Sequence, residues 1–111
     1  MILKNFLFDN GTILLQAEVP DWKAAVRKGV DLLLSCGSVE ERYYEGIIKI
    51  TEEYGPYYVI GPGIAMPHAR PESGALKLGF SLVTLKNPVR FGHQTNDPVD
   101  ILLCLSAANK E

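Results

Sequence analysis

The chain has 111 residues, 47% of them hydrophobic and 22% charged, with a formal net charge of −2. This is the balance of one globular domain, long enough for a single core and short for an enzyme with a deep pocket of its own. The charge gives no footprint for nucleic acid, no lysine-arginine run suits an anionic lipid surface, and no apolar stretch approaches the ~18 residues of a membrane span.

The opening "MILKNFLFDNG" holds a short apolar patch broken by Asn5, Asp9 and Asn10. It lacks the long apolar stretch and cleavage site of a signal peptide, so a cytoplasmic location is expected. Asn10-Gly11 signals a turn, and "TILLQ" (12–16) reads as a strand. From Asp21 the period changes. Trp22, Ala25, Val26, Gly29, Leu33 and Leu34 form a helical stripe, with Asp21 as N-cap and Gly37 as the stop. Ser38-Val39-Glu40-Glu41 fits a capping box, which predicts a second helix from Ser38. Its apolar spacing would bury Val39, Tyr43, Ile47, Ile50 and Tyr54.

Beyond Gly55-Pro56 the texture is extended, with strands over "YYVI" (57–60) and "LGFSLVTL" (78–85). Asn87-Pro88 reads as a turn before "VRF", and the continuously apolar "VDILLCL" (99–105) reads as a central strand covered on both faces. The expected fold is α/β (α+β is the near alternative): a mixed parallel and antiparallel sheet flanked by helices in a three-layer sandwich. No internal boundary divides residues 1–111. Because "SAANKE" follows the central strand directly, a further C-terminal helix is expected beyond this chain. Cys36 and Cys104 have no CxxC or metal-ligand spacing and read as small buried hydrophobes.

The densest signal is "GPGIAMPHARPESG" (61–74), where His68 stands between prolines among glycines and alanines. Pro67 restricts Met66, and Pro71 restricts Arg70, so the loop is stiff. Gly61, Gly63, Ala65 and Ala69 would leave room for another molecule's backbone to approach. Arg70 supplies a planar donor fork suited to phosphoryl oxygens. Histidine on such a loop suits phosphoryl acceptance; the plainer reading is a histidine that only bonds its own loop.

"GIAMPHARPESG", followed by "FSLVTL" and "NDPVDILLCL", resembles the enzyme IIA component of the bacterial sugar phosphotransferase system, in the mannitol/fructose-type superfamily. "RYYEGIIKITEEYGPYYVIGPGIAMPHARPESG" is most similar to its ascorbate-class branch. The similarity runs from about Leu3 to the final residues. It implies a type-2 enzyme IIA domain lacking its C-terminal helical part. It also implies that His68 accepts phosphate from phospho-HPr through Nε2, with Nδ1–H held by a backbone carbonyl. The acceptor would be a cysteine of enzyme IIB, which serves the membrane component enzyme IIC. Cys36 and Cys104 are not that acceptor. Such transfer needs positioning and charge stabilisation rather than a cofactor or metal. HPr and enzyme IIB are expected to share one surface around His68, including Met66, Ala69 and the glycines at 61 and 63. A homodimer is left open.

The sequence departs from the family at two places. Mannitol-type members carry an Arg-Glu pair on the helix before the motif, whereas the matching "TEEY" has no arginine and Arg42 lies ten positions before Glu52. Many relatives have a second active-site histidine after the last central strand, about where this chain ends. His93, in "RFGHQTNDPVD", is the alternative neighbour; its plainer reading is a solvated loop histidine. Two rival functions use the same residues: a regulatory module controlled by phosphorylation of the histidine, and a metal-dependent hydrolase on His68, His93, Asp97 and Asp100. The second lacks compact HxH or HxxxH spacing, and Asp97-Pro98 is better explained as a turn whose carboxylate bonds local backbone.

Overall fold

The computed structural model describes residues 2–108. The chain opens with a helix that polar interruptions hid from the sequence reading, α1 (Ile2–Asn10). Its inward residues Leu3, Phe6 and Leu7 follow the i, i+3, i+4 spacing of one helix face. Asn10 Nδ2 donates to Phe6 O, and Thr12 N donates back to Leu7 O across Gly11, whose φ of 64° ends the helix.

β1 (Ile13–Ala17) leads into α2 (Trp22–Ser35). Asp21 is the N-cap as expected, its carboxylate accepting from Ala24 N at 2.9 Å. The next helix, α3 (Arg42–Tyr54), starts four residues later than the capping box implied. Ser38 is fully buried and caps nothing: its carbonyl accepts from Leu76 N and Lys77 N, and Val39 bridges Ala75. That antiparallel pairing keeps residues 38–40 extended, and tertiary hydrogen bonds override the local helix signal.

β2 (Val59–Gly61) and β3 (Ile64–Ala65) form a small hairpin, followed by a short 3-10 turn at Pro71–Ser73. β4 (Gly79–Val89) runs straight through Asn87-Pro88, so the expected turn is absent. The register with β5 (Val99–Ser106) shifts between Thr84 and Val89, and this irregularity lets a proline sit inside a strand. The sheet order is β1-β4-β5-β3-β2, with β4–β5 antiparallel and β1–β4 and β3–β5 parallel. β5 is therefore central and the sheet is mixed, as expected.

Alternation along the strands assigns the two faces. Val83, Leu85, Leu102 and Cys104 point to the side covered by α2, where Val26, Val30 and Leu33 are fully buried. Ser81 Oγ donates to Gly29 O at 2.9 Å on that side. Phe80 points the other way and meets Phe6 of α1 edge-on, with ring centroids 5.7 Å apart. Helices thus flank the sheet in three layers, with α3 beside α2. Cover on the α1 side is lighter: Leu103 and Leu105 of β5 are half-buried there. Cys104 is buried and Cys36 half-buried; both are free thiols. The expected C-terminal helix falls outside the described residues. No described helix is long and apolar enough to cross a membrane.

Gly29 sets how closely α2 approaches β5, because a Cβ there would collide with Cys104 Sγ. Gly29→Ala should therefore destabilise. Helix propensity favours alanine by about 1 kcal/mol, but overpacking costs about 1–3 kcal/mol. Adding Cys104→Ala should recover part of that loss in thermal unfolding. A Gly29→Ala midpoint at or above wild type would show that the helix and sheet separate freely.

Candidate functional site

Three successive anchors build the histidine loop. Pro62-Gly63 makes the hairpin turn, with Gly63 at φ 76°, and Ala65 is fully buried between Val59 and Leu102. Met66 N then donates to Tyr58 O at 2.9 Å, and Leu105 N donates to Pro67 O at 3.3 Å. Finally, Tyr43 Oη accepts from Ala69 N at 3.0 Å and donates to Leu105 O at 2.9 Å. The loop is consequently stitched to α3, β5 and the turn before β2.

Of the small residues expected to leave room for another molecule, Ala65 is fully buried and Gly63 is bonded within the fold. Gly63 N donates to Asn96 O, and Gly63 O accepts from Asp100 N and Ile101 N. A Cβ on Gly46 of α3 would lie 2.7 Å from Ser73 Cβ and 3.5 Å from Ala69 Cβ. Glycine at 46 and alanine at 69 therefore let helix and loop touch. Gly61 alone of the loop glycines has open space around it.

His68 is half-buried, and its Nδ1 lies 2.7 Å from Met66 O. A carbonyl can only accept, so Nδ1 carries a proton, and in the neutral imidazole Nε2 is the nitrogen with the lone pair. Among the described residues, nothing hydrogen-bonds Nε2. His68 lines a cleft of about 600 Å³ together with Arg70, Tyr54, Tyr57 and Ile50. Arg70 is exposed, and no described carboxylate pairs with it. The Tyr57 phenol is pushed up by burial, and the Arg70 guanidinium opposes that shift, which places the two groups in electrostatic reach. A neutral nucleophilic nitrogen, an unpaired guanidinium and a half-open apolar wall can receive a dianionic group and release it again.

His93 lies apart from this cleft. It borders a second one, with Tyr54 and Tyr57 forming the wall between them. Its Nδ1 accepts from Asn96 N at 3.1 Å and Thr95 N at 3.3 Å, so its proton sits on Nε2, the opposite tautomer to His68. Asp97 behaves as the turn reading required: Oδ1 accepts from Phe91 N, and Oδ2 from Gly92 N and His93 N. Asp97 and Asp100 do not converge with the histidines, and among the described residues no three His, Cys, Asp or Glu side chains are placed to hold a metal ion. On α3, Glu52 pairs with Lys23 at 3.1 Å, while Arg42 holds Glu40 and the Glu72 carbonyl.

The sequence reading missed Tyr43, Tyr54 and Tyr57 as site residues. Tyr43 does lie in the core, and its hydroxyl is also the loop's tether. Tyr54 was assigned to the core but is 67% exposed, because α3 has turned its last residue onto the cleft. A signal was present: Tyr54 and Tyr57 flank Gly55-Pro56, so both stand at a surface turn.

A mixed five-stranded sheet whose stitched loop presents a histidine nitrogen to a cleft shared with Arg70 is the frame of a phosphoryl-carrier domain. Residues 6–111 match the family described as "Phosphoenolpyruvate-dependent sugar phosphotransferase system, EIIA 2", and the chain belongs to that family. It is 54% identical over 109 residues, 98% of this chain and 71% of the relative, to the ascorbate-specific PTS system EIIA component of Salmonella choleraesuis. Among solved structures it resembles the mannitol-specific cryptic phosphotransferase enzyme IIA CmtB from Escherichia coli, with TM-score 0.82 and 39% identity over 94% of this chain and 72% of that one. It also resembles enzyme IIA of the Escherichia coli complex between mannitol enzyme IIA and phosphorylated mannitol enzyme IIB. There the TM-score is 0.79 and the identity 26%, over 90% of this chain and 69% of that one.

Tyr43 generates two tests. Tyr43→Phe keeps the ring but strands the Ala69 amide and Leu105 carbonyl, which should cost about 1–3 kcal/mol in urea unfolding and speed hydrogen exchange at Ala69. Unchanged exchange there would remove Tyr43 as the tether. Burial pushes the Tyr43 phenol up to about 12, partly offset by the Ala69 contact, and burial pushes the Cys104 thiol up to about 12 as well. Both groups bind protons more tightly when folded, so stability is full below their unfolded values and falls as pH rises toward 12. The alkaline loss should be shallower in Tyr43→Phe, as followed by unfolding midpoints between pH 8 and 11 (~1.4 kcal/mol per pH unit for each group).

Proposed function

We propose that this chain is a phosphocarrier that takes a phosphoryl group from phospho-HPr on His68 and passes it to a cysteine of enzyme IIB, in the uptake of ascorbate. The observation that carries this reading is the Nδ1–H bond from His68 to Met66 O, which makes Nε2 the nucleophilic nitrogen of the neutral ring at the cleft. Relatives at 54% identity support the ascorbate assignment, and the mannitol enzyme IIA–IIB complex supports IIB as acceptor. Both steps are protein-to-protein transfers in the cytoplasm.

In the first step the Nε2 lone pair attacks phosphorus, and the N–P bond forms as the donor's P–N bond breaks, its electron pair returning to the HPr imidazole. In the second, the IIB cysteine thiolate attacks the same phosphorus. The S–P bond forms, and the pair of the breaking Nε2–P bond returns to His68. Met66 O holds the Nδ1 proton through both steps, so His68 needs no separate base to become nucleophilic. Arg70 faces the charge on the three phosphoryl oxygens as the transition state spreads it. His93 enters as an Nε2–H donor at the neighbouring cleft, where a docked partner would meet it. HPr and IIB use overlapping surface, because each must bring its own reacting atom in line with one nitrogen.

Incubation with enzyme I, HPr and phosphoenolpyruvate should label His68 with an acid-labile, base-stable phosphoramidate. His68→Ala should take no label while unfolding like wild type, since a loop side chain carries little packing. Arg70→Lys should slow transfer about tenfold, equal to ~1.4 kcal/mol, because a point charge replaces a fork. His93→Ala should slow passage to IIB without abolishing the label on His68. Full labelling of His68→Ala, or label on His93, would defeat the assignment.

A further inference from the structure

We propose that Tyr57 is a positioning residue for phosphoryl transfer, its ring fixing the plane of the His68 imidazole so that Nε2 stays aimed into the cleft. The proposal rests on His68 being the phosphoryl acceptor and goes beyond it in naming what holds the ring. The Tyr57 and His68 rings meet edge-to-face, centroids 5.8 Å apart and planes at 83°. Behind Tyr57 stands Tyr58, centroids 5.5 Å apart, fully buried with its hydroxyl 2.7 Å from Thr51 Oγ1. Tyr57 therefore meets a fixed ring and the histidine at once.

The backbone ties the two partners together. Tyr57 N donates to Gly55 O, and Val59 N to Pro56 O, which sets the turn that carries Tyr57. Tyr58 O accepts from Met66 N, and Met66 O holds His68 Nδ1. One residue, Met66, thus links the turn of Tyr57 to the imidazole of His68. The Nδ1 hydrogen bond fixes a single point of the ring and leaves it free to tilt about that line. The edge-to-face contact opposes the tilt. In-line attack depends on that angle, and a displacement of about 1 Å can cost a hundredfold in rate.

A half-exposed aromatic also needs a reason to stay at a surface turn. Tyr57 is 50% exposed and belongs to no part of the buried core. Its removal should leave the fold intact, which makes the role testable.

The test uses a donor too small to dock. Phosphoramidate gives its phosphoryl group to His68 as Nε2–P forms and P–N breaks, the electron pair leaving on ammonia. The full chain, wild type and variants, is phosphorylated by this donor and separately by phospho-HPr, and discharge to IIB is followed. Tyr57→Ala should lose tenfold or more in all three rates, with an unchanged unfolding midpoint and a weakened His68 Nδ1–H proton signal. Tyr57→Phe should recover most of the rate, since it restores the ring. Wild-type rates with phosphoramidate but slow rates with both proteins would make Tyr57 a docking contact and overturn the proposal. So would failure of Tyr57→Phe to rescue. If wild type takes no label from either donor, the phosphocarrier reading itself fails, and this inference with it.

Discussion

One buried hydroxyl holds the site to the fold. Tyr43 Oη accepts from Ala69 N and donates to Leu105 O, so α3, the histidine loop and the central strand meet at a single oxygen. The ring that carries it is fully buried and cannot shift without opening the core. Main-chain groups in a loop of this kind have no ladder to join, and leaving a partly buried amide unpaired is costly. The phenol resolves that problem for Ala69 and, in doing so, fixes where His68 stands. Close approach of α3 to the loop then requires Gly46, since a Cβ there would press on Ser73.

The parts of the fold legible in the sequence were those where local pattern and tertiary packing agree. The α2 stripe, its Asp21 cap and the continuous apolar run of β5 belong to this group, and so does the turn role of Asp97. The misreadings share one cause. Ser38 looked like a cap, yet it pairs across the fold with Leu76 and Lys77. Asn87-Pro88 looked like a turn, yet it sits in a strand irregularity beside β5. At Ser38 long-range backbone pairing outweighs a cap signal worth about 1 kcal/mol, and at Asn87-Pro88 the flanking pairs Thr84–Ile101 and Val89–Val99 carry the strand past the turn signal. His68 was legible because its surroundings are costly for regular structure. Tyr43 was legible only as core, because spacing along a helix reports which face is buried and not where a hydroxyl points.

The two histidines show how backbone sets side-chain chemistry. Each imidazole has one nitrogen engaged by main chain, but the sign of the engagement differs. A carbonyl at His68 Nδ1 demands a proton there and leaves Nε2 as an acceptor. Amides at His93 Nδ1 demand a lone pair there and leave Nε2 as a donor. Neither outcome can be read from composition, since it depends on whether the chain turns a carbonyl or an amide toward the ring. The loop path decides which nitrogen of each ring faces main chain.

A carrier must also let go, and this constrains the charges around it. A tightly paired, deeply buried cation would hold a phosphoryl dianion too well and slow the second transfer. Here the guanidiniums have divided roles. Arg27 is engaged by Asp31 and Glu41, and Arg42 by Glu40 and the Glu72 carbonyl. Arg70 stays exposed and free of any described carboxylate, beside a half-buried imidazole in an open cleft. Under the proposed role, its charge is screened by solvent until a partner protein covers the cleft, and covering lowers the local dielectric and strengthens the attraction to phosphoryl oxygens. On that reading the stabilisation appears when two proteins are joined and fades when they separate. Transition-state stabilisation that depends on docking, rather than on a closed pocket in this chain, is what a domain of this size can supply.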